Sequence, residues 1–239
     1  MIEERVHFYA DGLKLEGIIT YQEDMPAAPA ILLCSPHPNL GGDMDNNVVM
    51  GLAKVSADMG FMSLRFNYRG VGNSDCHEKD IAQKYQYWDA SLADGNYSDA
   101  VADTRAALAF LSAQTDAKSG IFIAGYSFGA VVGSIVGGDT TCVNGFASIS
   151  MPFGVYSVGY LSGCNKAKLF IYSQKDFATT ADDTIGGFAQ ILSPKTLELI
   201  EDSDHFYRDQ ETLIAQKVCA FFKECLHYLK DKTSLTARS

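Results

Sequence analysis

The sequence predicts an α/β fold built on a mainly parallel sheet. Three observations predict it. Short apolar runs alternate with segments whose apolar residues recur every three or four positions. Most of those runs are apolar throughout, the mark of strands covered by helices on both faces. The chain also opens with two strand-like stretches around Asp11-Gly12, a hairpin signal, so the sheet has an antiparallel entry.

In order, strands are expected at 5–9 (RVHFY) and 13–21 (LKLEGIITY), then at 30–35 (AILLCS). A loop rich in Pro, Gly and Asn follows from Pro36 to Asn47. Val48, Leu52, Val55 and Met59 then recur at helical spacing, with Gly60 as the stop. FMSLRF (61–66) is the next strand. Residues 73–96 show no clear period and are read as a long loop carrying Tyr85, Tyr87 and Trp88. A helix runs through Val101, Thr104, Leu108 and Leu111, and a strand at 120–126 (GIFIAGY) leads into a small-residue helix from Ser127 to about Val136. Strands at 143–150, 167–173 and 195–200 bring the total to eight, and an amphipathic helix through Leu213, Val218, Phe222 and Leu229 closes the chain. With no repeat and no linker, residues 1–239 read as a single domain.

Composition narrows the function. The 239 residues are 47% hydrophobic and 20% charged, ordinary for a globular chain able to bury a core without staples. Lys plus Arg number 19 and Asp plus Glu 29, a net charge of −10. That balance argues against binding nucleic acid or an anionic membrane, since both surfaces repel it. No apolar run reaches the roughly 18 residues a span needs, and the early acids of MIEERVHFYADG do not suit a secretory signal. The six cysteines form no CxxC pair. They read as free, mostly buried thiols in a reducing compartment, which gives a cytoplasmic address.

The sharpest motif is Gly125-Tyr126-Ser127-Phe128-Gly129, a G-x-S-x-G between a strand and a helix of small residues. The two glycines permit a tight turn that thrusts the serine hydroxyl up at the carboxyl edge of the sheet. The free N–H groups of the helix start favour developing negative charge there. A Gly-rich turn with a capping serine is the competing reading. Serine needs a base. Of five histidines only His205 lies just beyond the last strand, again at the carboxyl edge, since His227 falls in the closing helix. An acid must orient the imidazole, and Asp176, in the turn after the strand at 167–173, is chosen over Asp182 and Asp183. The order Ser127, Asp176, His205 is that of α/β-hydrolases. The expected oxyanion donors are the N–H of Phe128 and, after Pro36 and Pro38 which have none, the N–H of Asn39, with Leu40 as fallback. His37 is read as a structural histidine, and Arg69 as the cation of a salt bridge. Phe153, Phe177 and Phe206 fall near the catalytic edge and are assigned to substrate binding.

Two further segments carry a resemblance. Ser35-Pro36-His37-Pro38-Asn39-Leu40-Gly41-Gly42-Asp43-Met44-Asp45-Asn46 resembles the HPHP-x-x-GG-x-M-x-N segment of a family of small bacterial α/β-hydrolases. Arg65-Phe66-Asn67-Tyr68-Arg69-Gly70-Val71-Gly72-Asn73-Ser74 resembles the same family's RFN-[FY]-RG-x-G-x-S. The resemblance implies an α/β-hydrolase fold, with an eight-stranded, mostly parallel sheet and helices on both faces, and a hydrolase activity. Ser35 departs from it, standing where the first histidine of HPHP belongs. Many α/β-hydrolases insert a lid after the sixth strand, but about sixteen residues here separate Ser150 from the strand at 167, too few for a large lid.

Other chemistries lack their signatures. Asp75 occupies the third glycine position after Gly70 and Gly72, so a dinucleotide fingerprint fails. There is no P-loop, no HExxH and no Cys/His cluster at zinc spacing, so neither cofactor nor metal is expected. The expected function is a serine hydrolase cleaving a small carboxylic ester or thioester through an acyl-enzyme on Ser127. An acyltransferase using the same residues, or a non-catalytic binding protein of this fold, stands as the alternative. The expected partner is the small-molecule substrate, with no nucleic acid and no membrane, and a homo-oligomer is left open.

Overall fold

The computed structural model describes residues 1–23, 27–93, 95–116 and 118–236. Its frame is one eight-stranded sheet of β1 (Ile2–Ala10), β2 (Leu13–Tyr21), β3 (Ala30–Cys34), β4 (Met62–Phe66), β5 (Ile121–Tyr126), β6 (Val143–Ile149), β7 (Ala167–Lys175) and β8 (Lys195–Asp204). The strand order is β1-β2-β4-β3-β5-β6-β7-β8. β1 with β2 and β2 with β4 are antiparallel, and every other pair is parallel. Asp11 and Gly12 form the β1–β2 turn with φ of 50° and 82°, as a two-residue hairpin requires.

Helices cover both faces. α1 (Asn47–Asp58) and α6 (Glu211–Thr236) lie on one side; α3 (Ser98–Gln114) and α4 (Phe128–Asp139) lie on the other. The period-two alternation of the strands divides the core between them. Ile31 and Leu33 of β3 and Phe122 and Ala124 of β5 face α1 and α6. Ala30, Leu32 and Cys34, with Ile121 and Ile123, face α3 and α4. Phe122 stacks on Phe222 of α6 at 4.5 Å between ring centroids, tying the last helix to the central strand.

The sequence predicts a loop over 73–96, but α2 (Ile81–Ala93) forms within it. Its inward face holds Lys84, Tyr87, Trp88 and Ser91, at helical spacing but polar in part, so it gives no apolar period. A further helix, α5 (Ala181–Gln190), starts at a capping box in which Thr180 and Asp183 satisfy each other's backbone N–H. Between β6 and β7 the described regular structure is one 3₁₀ turn, Gly159–Leu161, so no large lid covers the sheet edge. All six cysteines are free thiols, and Cys34, Cys164, Cys219 and Cys225 are buried. Among the described residues no helix is long and apolar enough to cross a membrane.

Candidate active site

Ser127 stands between β5 and α4 with φ 56° and ψ −120°. A side chain held in that region is strained, and the sequence around it makes the turn sterically feasible. A Cβ on Gly125 would run into the Gly129 carbonyl, and one on Gly129 would run into the carbonyls of Cys34 and Ser35. Both positions must be glycine for α4 to start this close to β3 and β5. The Ser127 N–H donates to the Ile149 carbonyl at 2.8 Å, fixing the turn to the end of β6.

Three loops bring three side chains into line. Ser127 Oγ lies 3.1 Å from His205 Nε2, and His205 Nδ1 lies 2.8 Å from Asp176 Oδ1. The carboxylate accepts, so Nδ1 carries the proton and Nε2 is free to accept from the serine. Ser127 and His205 are 8% and 6% exposed. The Asp176 side chain is 1% exposed. Burial pushes its carboxyl up, but hydrogen bonds from His205, Ser150 and the Ala178 N–H outweigh burial and hold it below the ordinary 3.8. His205 is anchored from behind by the Tyr126 hydroxyl, which donates to its carbonyl at 2.6 Å. The alternative acids lie elsewhere: Asp183 caps α5 and Asp182 is in its first turn. Among the described residues no group of three or more His, Cys, Asp or Glu side chains is arranged to hold a metal ion.

The loop after β3 corrects one expectation. The Asn39 N–H, expected as an oxyanion donor, donates instead to His37 Nδ1 at 3.2 Å, and the Leu40 N–H donates to the His37 carbonyl at 2.9 Å. Both are consumed by the 3₁₀ turn Pro38–Leu40 that His37 caps. The His37 N–H has no partner among the described residues, and neither does that of Phe128. Sequence reasoning passed over His37, although Pro-His-Pro leaves its N–H as the one donor between two prolines. Its imidazole is buried, with Nε2 3.0 Å from Ser91 Oγ of α2 and its edge against Phe128 at 4.9 Å. Burial pulls its pKa down to about 4.

Two of the three expected substrate-binding aromatics flank the histidine. The Phe177 ring is 4.8 Å from His205 and 5.6 Å from Phe206, and both phenylalanines are exposed. Phe153 stands apart from that pair and is half-buried. It packs on Phe170 at 5.7 Å and against Gly187 of α5, because the β6–β7 segment folds down onto the sheet there. Ser35 is buried, its hydroxyl 3.5 Å from the Phe66 carbonyl. Arg69 is the cation of a buried ion pair, its guanidinium 2.7 Å from Asp103.

Comparison with known proteins agrees with this architecture. No family model matches the chain. It is 28% identical over 212 residues to the uncharacterized protein RP471 of Rickettsia prowazekii, covering 85% of this chain and 82% of that one. Among solved structures, an alpha-beta serine hydrolase homologue from Coxiella burnetii superposes with a TM-score of 0.75 at 26% identity, over 92% of this chain and 97% of its own. XC6422 of Xanthomonas campestris, described as an a/b serine hydrolase without lid, gives a TM-score of 0.75 at 21% identity over 93% and 94%. The eight-stranded sheet, its helices on both faces and its open edge identify the fold of this chain as that of the α/β-hydrolases, without a large lid.

Proposed function

We propose that the protein is a serine hydrolase that cleaves a small carboxylic ester or thioester, with Ser127, His205 and Asp176 as its catalytic residues. The observation that carries this reading is the hydrogen-bonded line from Asp176 through His205 to Ser127, drawn from three separate loops. Ser127 Oγ attacks the carbonyl carbon while His205 Nε2 takes its proton. The C–O or C–S bond breaks, and the leaving alcohol or thiol departs with the proton returned by His205. Water then adds to the acyl-enzyme, its proton passing to His205 and on to Ser127 as the acid is released. Asp176 stays ionised and stabilises the imidazolium that forms twice per cycle.

The tetrahedral oxyanion is assigned to the N–H groups of Phe128 and His37, the two unbonded donors flanking the elbow. A single donor of this kind is worth about 10²–10³-fold in turnover. This chemistry draws on one domain and needs no cofactor. A cytoplasmic address fits its free thiols.

The test is labelling with a fluorophosphonate probe, together with turnover of p-nitrophenyl butyrate. Wild type should label and turn over, and Ser127→Ala should do neither. Folded protein that does neither in its wild-type form overturns the proposal and leaves a binding protein of this fold.

A further inference from the structure

Of the fourteen phenylalanines, Phe177 and Phe206 alone are exposed, at 70% and 46%. Both meet the same side chain. Ring centroids lie 4.8 Å apart between Phe177 and His205, 6.1 Å between Phe206 and His205, and 5.6 Å between the two phenylalanines. A large ring left in water forgoes the burial that is its main contribution to folding. Two such rings side by side form an apolar patch, and such patches mark contact with a ligand or partner.

Their exposure is held in place by the backbone. The Ala178 N–H donates to Asp176 Oδ1 at 2.8 Å, and the Phe206 N–H donates to Asp204 Oδ1 at 2.9 Å. The Phe206 carbonyl accepts from Asn47 Nδ2 at 2.9 Å. Each ring therefore stands on a loop pinned on the same residues that place Asp176 and His205.

The proposed chemistry decides what reaches these rings. Ser127 Oγ lies 3.1 Å from His205 Nε2. As the C–O bond of the substrate breaks, the leaving oxygen takes the proton from Nε2 and must come within about 3 Å of it. Whatever lies one or two carbons beyond that oxygen is then beside the imidazole, where Phe177 and Phe206 stand. The two phenylalanines already touch, so no third ring fits between them. The Arg208 guanidinium lies over Phe206 at 5.7 Å, and Phe177, the more exposed, offers the open face. We propose that Phe177, backed by Phe206, is a leaving-group specificity residue that packs against an aromatic ring on the departing alcohol, so that esters of aryl-bearing alcohols are the preferred substrate class. This inference rests on the hydrolase reading of the site. A flat ring gains over an alkyl group of equal area because aromatic pairs attract through their charge distribution as well as through burial.

The experiment compares kcat/KM for 2-phenylethyl butyrate and 2-cyclohexylethyl butyrate in wild type and Phe177→Leu. The two esters share an acyl group and differ in the flatness and π system of one ring. Wild type should favour the aryl ester by about fivefold. Phe177→Leu keeps an apolar side chain without a ring and should bring the ratio to within about twofold of unity. A second measurement intercepts the acyl-enzyme formed from p-nitrophenyl butyrate with 2-phenylethanol or 2-cyclohexylethanol at equal concentration. The acceptor oxygen gives its proton to His205 and bonds the acyl carbon as the Ser127 Oγ–C bond breaks, so the acceptor occupies the leaving-group position in reverse. Wild type should form the aryl ester in about fivefold excess, and Phe177→Leu should lose that excess, which a merely structural ring would not govern. Equal use of the two rings by wild type in either measurement, or a preference kept by Phe177→Leu, overturns the inference and leaves the hydrolase reading intact. So does wild-type protein that labels with the fluorophosphonate probe but does not turn over the aryl ester. Wild-type protein that neither labels nor turns over either ester overturns the hydrolase reading, and the inference with it.

Discussion

His205 Nδ1 donates to Asp176 Oδ1 across 2.8 Å, and the carboxylate that receives it is almost fully buried. The bond fixes which imidazole nitrogen faces Ser127. Asp176→Asn reverses the tautomer preference without removing volume. We expect kcat to fall by about 10³–10⁴-fold with little change in KM. The control is Asp183→Asn, at the α5 cap, which makes no contact with His205 and should stay within about tenfold of wild type. A larger loss in the control than in Asp176→Asn shows that the acid is misassigned.

Ser127 carries backbone strain as well as the proposed nucleophile. At φ 56° it occupies a region glycine enters freely. Ser127→Gly should raise stability by about 1 kcal/mol, or about 2–4 °C in melting temperature for a chain of this size. The same change should abolish turnover by several orders of magnitude, on the order of 10⁶-fold. Calorimetry and kinetics on one preparation read both. A Ser127→Gly protein that melts below wild type denies the strain.

His37 makes stability depend on pH. Folded, its imidazole is buried as the neutral base and takes up a proton only near pH 4, against an ordinary value of 6.5. Between those values the unfolded chain binds more protons. Stability from this group is therefore present above pH 6.5 and is lost as pH falls toward 4. The full loss is about 3 kcal/mol. Asp176, held below 3.8, adds to the loss in the same direction at lower pH. Urea midpoints between pH 7 and 4 should fall steeply in wild type and more shallowly in His37→Gln, which has no titrating ring. Equal slopes contradict the assignment.

Acyl length is the last expectation. Phe128 is walled by the rings of His37, Tyr68, Trp88 and Tyr156, and no large lid extends the site. Each added CH₂ gains about 0.8 kcal/mol only while there is room to bury it. Measured across p-nitrophenyl acetate, butyrate, octanoate and palmitate, kcat/KM should peak at acetate or butyrate. A maximum at palmitate reveals a long apolar channel that these rings do not leave.

The sequence by itself determined the order of strands and most helices, because apolar period and glycine position act locally. It also marked Ser127, His205 and Asp176 by their places just beyond strands β5, β8 and β7, and a parallel sheet gathers such ends at one edge. Tertiary structure decided what local pattern does not encode. α2 forms although its buried face mixes Lys84, Tyr87, Trp88 and Ser91, since contact with Arg69 and His37, not apolar period, holds it. Phe153 packs on Phe170 and against Gly187 of α5, a placement that its spacing did not show. The Asn39 N–H, expected as an oxyanion donor, is consumed with that of Leu40 by a 3₁₀ turn, while the His37 N–H is left without a partner among the described residues. Hydrogen-bond partners are chosen in three dimensions, so residue type and spacing can nominate a donor, but only the closed fold determines whether its N–H is left free.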